Sequence, residues 1–139
     1  MNADKLRRTI MKLRIFATFM VMIFVFGLAA ITSADGIRKR LKFAKGKSSA
    51  TVSNSVIRGD LDTYIVGARE GQTMRVRITS LENNAVFQIE GADGSYLSGA
   101  GEEDDATNWS GELPATGDNK IIVGGTRGNA SYKLTVSIK

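Results

Sequence analysis

After Asp35 the apolar residues recur at every second position in short runs separated by turn residues, the period that buries one face of a strand and leaves the other in water. The last run is the plainest, with Tyr132, Leu134, Val136 and Ile138 alternating with Lys133, Thr135, Ser137 and Lys139. Met74, Val76 and Ile78 alternate with Arg75, Arg77 and Thr79, which predicts a strand with an apolar inner face and a basic outer one. The same spacing predicts strands over residues 37–43, 50–57, 62–68, 85–89, 109–113 and 120–125. Helical periodicity is absent beyond Asp35. Turn chemistry separates the runs at Arg58-Gly59-Asp60, at Ala92-Asp93-Gly94, at Pro114-Ala115-Thr116-Gly117-Asp118 and at Arg127-Gly128-Asn129. Arg69-Glu70-Gly71-Gln72 reads as the turn of a hairpin, and the glycine-rich acidic run 99–105 as an exposed loop. About eight short strands, with the one proline outside them, predict an all-β fold, an antiparallel β-sandwich of jelly-roll-like character.

The first 34 residues follow a different pattern. Lys5, Arg7, Arg8, Lys12 and Arg14 precede an apolar block at 15–31, and Thr32 and Ala34 supply the small residues of a cleavage site before Asp35. This reads as a signal helix, so residues 1–34 are expected to be an export signal and 35–139 a single domain working in the periplasm or outside the cell. The alternative is an anchor that stays in place, since about 17 apolar residues approach the shortest span of a bilayer. Contact with a membrane is expected only through an uncleaved leader. Met11 offers a second possible start of translation.

Charge changes its meaning once the leader is set apart. The chain carries a formal +5, but of its 19 basic and 14 acidic side chains the first 34 residues hold five and one, which leaves 14 against 13. A near-neutral exported domain is not expected to bind nucleic acid. The chain has no cysteine, so neither a disulfide nor a lipoprotein anchor is available, and it has no histidine. Ser-His-Asp and Cys-His catalysis and the usual zinc sites are thereby excluded. No phosphate-cradling glycine loop occurs, and no cofactor is expected. A carboxylate pair is the remaining catalytic option, and a domain this small has little material for a cleft around one. The expectation is a non-enzymatic binding protein.

Two segments carry a family resemblance. Asp62-Thr63-Tyr64 followed by Ala68-x-x-Gly71-Gln72, together with Leu113-Pro114-Ala115-Thr116-Gly117 and the last alternating strand, resembles bacterial pre-peptidase C-terminal-type sandwiches. Within that group, the opening Phe43-x-x-Gly46-x-Ser48-Ser49-Ala50 and the Asp62-Thr63-Tyr64 strand are most similar to the small periplasmic inhibitors of goose-type lysozyme. The resemblance implies a sandwich that plugs the cleft of the lysozyme with an end loop, setting basic side chains against an acidic active site. It places Thr126-Arg127 in the family's loop before the final strand, has Ser131 where a second arginine is expected, and has Asn119 at a core position that is usually aromatic.

Five residues follow as candidates for partner contact: Arg127, Asp60, Asp62, Tyr64 and Trp109. Arg127 sits in a glycine-flanked turn from which a long cation reaches a partner, or it is an ordinary solvated turn residue. Asp60, Asp62 and Tyr64 share one loop-to-strand segment, where the carboxylates contact a partner, cap a turn or bind calcium. Trp109, like Tyr96, stacks on a sugar ring or packs into the core. The acidic run Glu102 to Asp105 is a solvated loop held extended by its like charges, or it ligates calcium through its oxygens; it lacks the spacing of a calcium loop, and no metal site is expected there. The basic stretch Arg38, Lys39, Arg40, Lys42, Lys45 and Lys47 faces an anionic polymer or headgroups, or blunts an edge strand. A lysozyme is the expected partner, and peptidoglycan or polysaccharide is the alternative expected of an envelope-binding module.

Overall fold

The computed structural model describes residues 3, 6–8 and 36–139. The chain divides into two units, Met1–Ser33 and Ala34–Lys139. In the first, residues 3 and 6–8 are helical; the apolar block 15–31 and the cleavage positions Thr32 and Ala34 lie outside the described residues. Among the described residues no helix is long and apolar enough to cross a membrane.

The described residues of the second unit contain eight strands: β1 (Arg38–Arg40), β2 (Ser49–Val56), β3 (Asp62–Ala68), β4 (Thr73–Ser80), β5 (Ala85–Glu90), β6 (Asn108–Glu112), β7 (Gly117–Gly125) and β8 (Ala130–Ile138). They form two four-stranded sheets, ordered β1-β3-β7-β5 and β2-β8-β4-β6. Odd-numbered strands make the first sheet and even-numbered strands the second, so every connection passes from one layer to the other. The β-sandwich expected from the period of two is the architecture found. Its inner layer follows the alternation residue by residue: Tyr132, Leu134, Val136 and Ile138 of β8 are buried, as are Met74, Val76 and Ile78 of β4, Tyr64 and Val66 of β3, and Ile121 and Val123 of β7. Each such aliphatic side chain contributes about 1.5–3 kcal/mol by leaving water, which presses the two sheets together.

Three details differ from the sequence expectation. The turn at 69–72 does not close a hairpin, because β3 and β4 stand in opposite sheets. Gly71 N donates to Leu113 O (2.9 Å) and Leu113 N to Gln72 O (2.8 Å), so the turn is stitched to the end of β6 and carries the chain across the core. The first strand shortens from 37–43 to Arg38–Arg40, all exposed, and pairs parallel to β3 where every other ladder is antiparallel. Leu41 N still donates to Ile65 O (2.9 Å) just beyond it, and the chain then crosses to β2 in the second sheet. Finally β7 begins at Gly117, ahead of the first apolar residue of its run, because Ala68 and Gly67 of β3 pair with Gly117 and Asp118.

Candidate functional site

One end of the sandwich is built from three connections: Ile57 to Leu61 between β2 and β3, Leu81 to Asn84 between β4 and β5, and Thr126 to Asn129 between β7 and β8. The strand register brings them together, since Val56 pairs with Ala130, Asp62 with Val123 and Ala85 with Gly125. Large apolar side chains stand in water here, with Ile57, Leu61 and Leu81 all exposed and Leu81 at 96 %. Arg58 and Arg127 add positive charge. A rim of exposed apolar groups with cations beside them is the composition of a contact surface.

The Arg127 connection is held from below. Asn84, 2 % exposed, donates from Nδ2 to the carbonyls of Arg127 (3.0 Å) and Asn129 (2.9 Å), while its own carbonyl accepts from Thr126 N (2.8 Å). Asn84 is positioned in turn by Ser80, whose Oγ accepts from the backbone N–H groups of Asn84 (3.0 Å) and Ala85 (3.2 Å). Arg58 N donates to Asn129 Oδ1 (2.9 Å), which links the β2–β3 connection to the same loop. Gly128 takes φ +62°, the left-handed conformation that closes so tight a turn and that glycine adopts without steric cost. Arg127 itself is exposed, and its Nη2 donates to the Glu82 carbonyl at 2.6 Å. A guanidinium whose backbone is fixed while its head remains at the surface loses little freedom when it docks. Asp60 lies half-buried at this end, its N–H donating to Ile57 O at 3.0 Å.

Asp62 and Tyr64 go inward instead. Asp62 is 2 % exposed and Tyr64 1 %, so in this conformation they act within the frame and not on a partner. The Asp62 carboxylate accepts from Ile37 N (3.0 Å), Asn54 Nδ2 (2.9 Å) and Tyr132 OH (2.5 Å). Tyr132 gives its proton to Asp62, so the 2.6 Å contact between the two phenols leaves Tyr64 as donor to Tyr132. The rings meet edge to face, 6.4 Å apart and tilted 82°. Burial pushes the phenol of Tyr64 above its ordinary pKa, and burial with the hydrogen bond to Asp62 pushes that of Tyr132 strongly upward. The chain Tyr64, Tyr132, Asp62, Asn54 joins β3 of the first sheet to β8 and β2 of the second. A buried anion with three donors is stable where an unpaired one is not.

Trp109 lies on a different element, β6 at the edge of the second sheet. Its indole packs over Gly111, where an added Cβ would come within 2.6 Å of Trp109 Cζ2, and its Nε1 donates to Ser98 O (2.9 Å). The ring is half-buried against the core. In the acidic loop Glu102 accepts from Tyr96 OH (3.0 Å), which raises the phenol's pKa, and Asp104 accepts from Gly101 N (2.6 Å). No group of three or more acidic, histidine or cysteine side chains among the described residues is arranged to hold a metal ion. Of the basic stretch, Arg40 forms a double contact with Asp118 (2.8 and 2.5 Å), which draws the Asp118 pKa down. Ser131, where a second arginine is expected, meets Ser55 across the strands, Oγ to Oγ at 2.7 Å.

The structure thus brings Arg127 and Asp60 to one exposed end, sets Asp62 and Tyr64 in the interior, and places Trp109 on a separate edge. Sequence reasoning missed Asn84, Ser80 and Tyr132. Asn84 reads as one more turn residue and Tyr132 as one more apolar position of a strand; only the pairing of distant strands shows what their polar atoms reach.

No family model matches the chain. It is 34 % identical over 131 residues to the inhibitor of g-type lysozyme of Escherichia coli strain K12, a match that spans 81 % of this chain and 91 % of the relative. Among solved structures it is similar to that of PliG, a periplasmic inhibitor of g-type lysozyme from Aeromonas hydrophila, with a TM-score of 0.64, 30 % identity, and coverage of 74 % of this chain and 96 % of the other. The pre-peptidase C-terminal domain of a Bacillus anthracis collagenase shares the fold at 15 % identity, with a TM-score of 0.53 and coverage of 76 % of this chain and 97 % of that one.

Proposed function

The chain belongs to the family of inhibitors of g-type lysozyme, and we propose that it is itself such an inhibitor, a non-enzymatic periplasmic protein whose residues 1–34 serve as its export signal. The end formed by the β2–β3, β4–β5 and β7–β8 connections enters the cleft of the lysozyme, with Arg127 as the anchoring cation and Ile57, Leu61 and Leu81 as the apolar rim. The observation that carries this reading is the fixing of the Arg127 loop by the buried Asn84. A loop held in one shape from within the domain keeps its protruding cation preorganised, and the cost of ordering it is met in folding and not in binding. Asp60 lies at the base of the same end and lends it one carboxylate. Trp109 keeps only a partial exposure at the β6 edge, outside this surface.

The test is direct. Purified protein is mixed with goose-type, chicken-type and invertebrate-type lysozymes and the lysis of cell-wall suspensions is followed. Inhibition of the goose-type enzyme, with the other two unaffected, is the expected result. Unchanged lysis with all three overturns the proposal.

A further inference from the structure

A groove of about 480 Å³ opens at the edge of the second sheet, where β4 runs past the end of β6 and meets the connection before β5. Its polar lining includes Arg77, Thr79, Asn83, Thr107 and Asn108. Ser80, also in the lining, is already engaged by two backbone N–H groups. The other five side chains make no hydrogen bond within the described residues. All five are exposed and so hydrated, and a hydroxylated ligand seated in the groove can exchange that water for their donors and acceptors.

Arg77 belongs at the same time to a basic face. Cross-strand register sets Arg75 beside Ser137 and Ser110, Arg77 beside Thr135 and Asn108, and Lys133 beside Ser53 and Thr79. The three cations point away from the core and are exposed. Among the described residues the ion pairs are Arg40 with Asp118 and Lys120 with Glu90, both on the first sheet; the outward positions of the second sheet hold a single carboxylate, Glu112 at the end of β6. Arg75 and Arg77 stand two positions apart on β4 with Lys133 diagonally across from Arg77, and no carboxylate is directly opposite any of the three, so this exposed face carries a local positive charge that attracts an anion.

We propose that the outer face of the second sheet binds an acidic polysaccharide, with one sugar in the groove against Arg77 and the chain continuing over Arg75 and Lys133. The outward hydroxyls of β2 and β8, of which Thr51 with Thr135 (3.1 Å) and Ser55 with Ser131 (2.7 Å) bond in pairs, and Thr73 and Thr79 of β4 face the same side as sugar partners, and the cations match the carboxylates. A bilayer is the poorer match, because entry into the headgroup boundary requires apolar side chains and the outward residues of these four strands have none.

The inference is independent of lysozyme, which is absent from its test. Binding of the purified protein is measured by calorimetry against polygalacturonate, against neutral dextran, and against phosphatidylglycerol vesicles. Binding to polygalacturonate alone is expected, weakening several-fold as salt rises from about 50 to about 200 mM. Arg77→Ala is expected to lower affinity about tenfold or more, Arg75→Glu with Lys133→Glu to remove binding, and Arg127→Ala to leave it unchanged. Circular dichroism checks that each variant is folded. No binding to polygalacturonate, equal binding to dextran or vesicles, or affinity unmoved in the folded Arg77→Ala and double variants overturns the inference.

Discussion

Asp62 and Arg127 stand near the same end of the sandwich in opposite surroundings. Asp62 is buried and accepts from three donors, one of them backbone, whereas Arg127 is exposed and its guanidinium donates to a carbonyl of the neighbouring connection. The interior group ties two sheets together; the surface group is held in place by Asn84 and leaves its charge unneutralised. A carboxylate in a short loop-to-strand segment and a cation in a short turn are equally good binding candidates by composition, yet one is part of the frame and the other projects from it. What separates them is where the donors lie. Asn54, Ile37 and Tyr132 converge on Asp62 from three different strands or their flanks, and no carboxylate among the described residues pairs with Arg127.

Four changes test this contrast. The largest effect is expected of Asp62→Ala, which leaves the buried Tyr132 hydroxyl, the half-buried Asn54 amide and the Ile37 N–H without their acceptor and should lower stability by about 3 kcal/mol, read as the midpoint of urea unfolding. An unchanged midpoint would mean that the network is not structural. Next, Arg127→Ala should weaken inhibition of goose-type lysozyme about 30-fold, the scale of an interface anchor, with its urea midpoint within experimental error of the parent. Loss of folding together with loss of inhibition would erase the distinction between frame and tip.

The third test uses pH. Both Tyr64 and Tyr132 hold their protons more tightly in the folded chain than the ordinary phenol value of 10.0. Stability from this source is therefore complete below pH of about 10 and declines as pH rises above it, because the unfolded chain ionises first. Tyr132→Phe should cost about 1 kcal/mol at neutral pH and make the alkaline decline shallower, as followed by thermal unfolding between pH 8 and about 11. A decline of equal steepness in the variant would assign the alkaline loss elsewhere. The smallest change is expected at Asn119, fully buried on β7 with its Oδ1 unpartnered and its Nδ2 only 3.4 Å from Val66 O. Asn119→Leu should raise stability by up to about 1 kcal/mol, detectable as a higher melting temperature.

Much of this was legible before any fold was known. Alternation in β4 and β8 identifies the inward residues because a strand presents every second side chain to the same layer, and that property needs no partner. The absence of histidine and cysteine removes whole classes of chemistry by itself. Thr126-Arg127 was also readable as an exposed tip, since a glycine-rich turn bounded by two strands has nowhere else to go. The hairpin at 69–72 was not, because a four-residue turn serves equally to return a chain along its own sheet or to send it to the opposite one. Leu113, some forty residues away, decides between the two by bonding to Gly71 and Gln72.

The sequence by itself determined a two-layer β body without thiol or imidazole chemistry, because both follow from local period and residue type. Only the tertiary structure decided that Asp62 lies within and Arg127 without, that Asn84 holds the tip, and that the cations of the second sheet have no ion-pair partner among the described residues. Each of these depends on which distant strands are neighbours, and that is set by the closing of two sheets over a shared core.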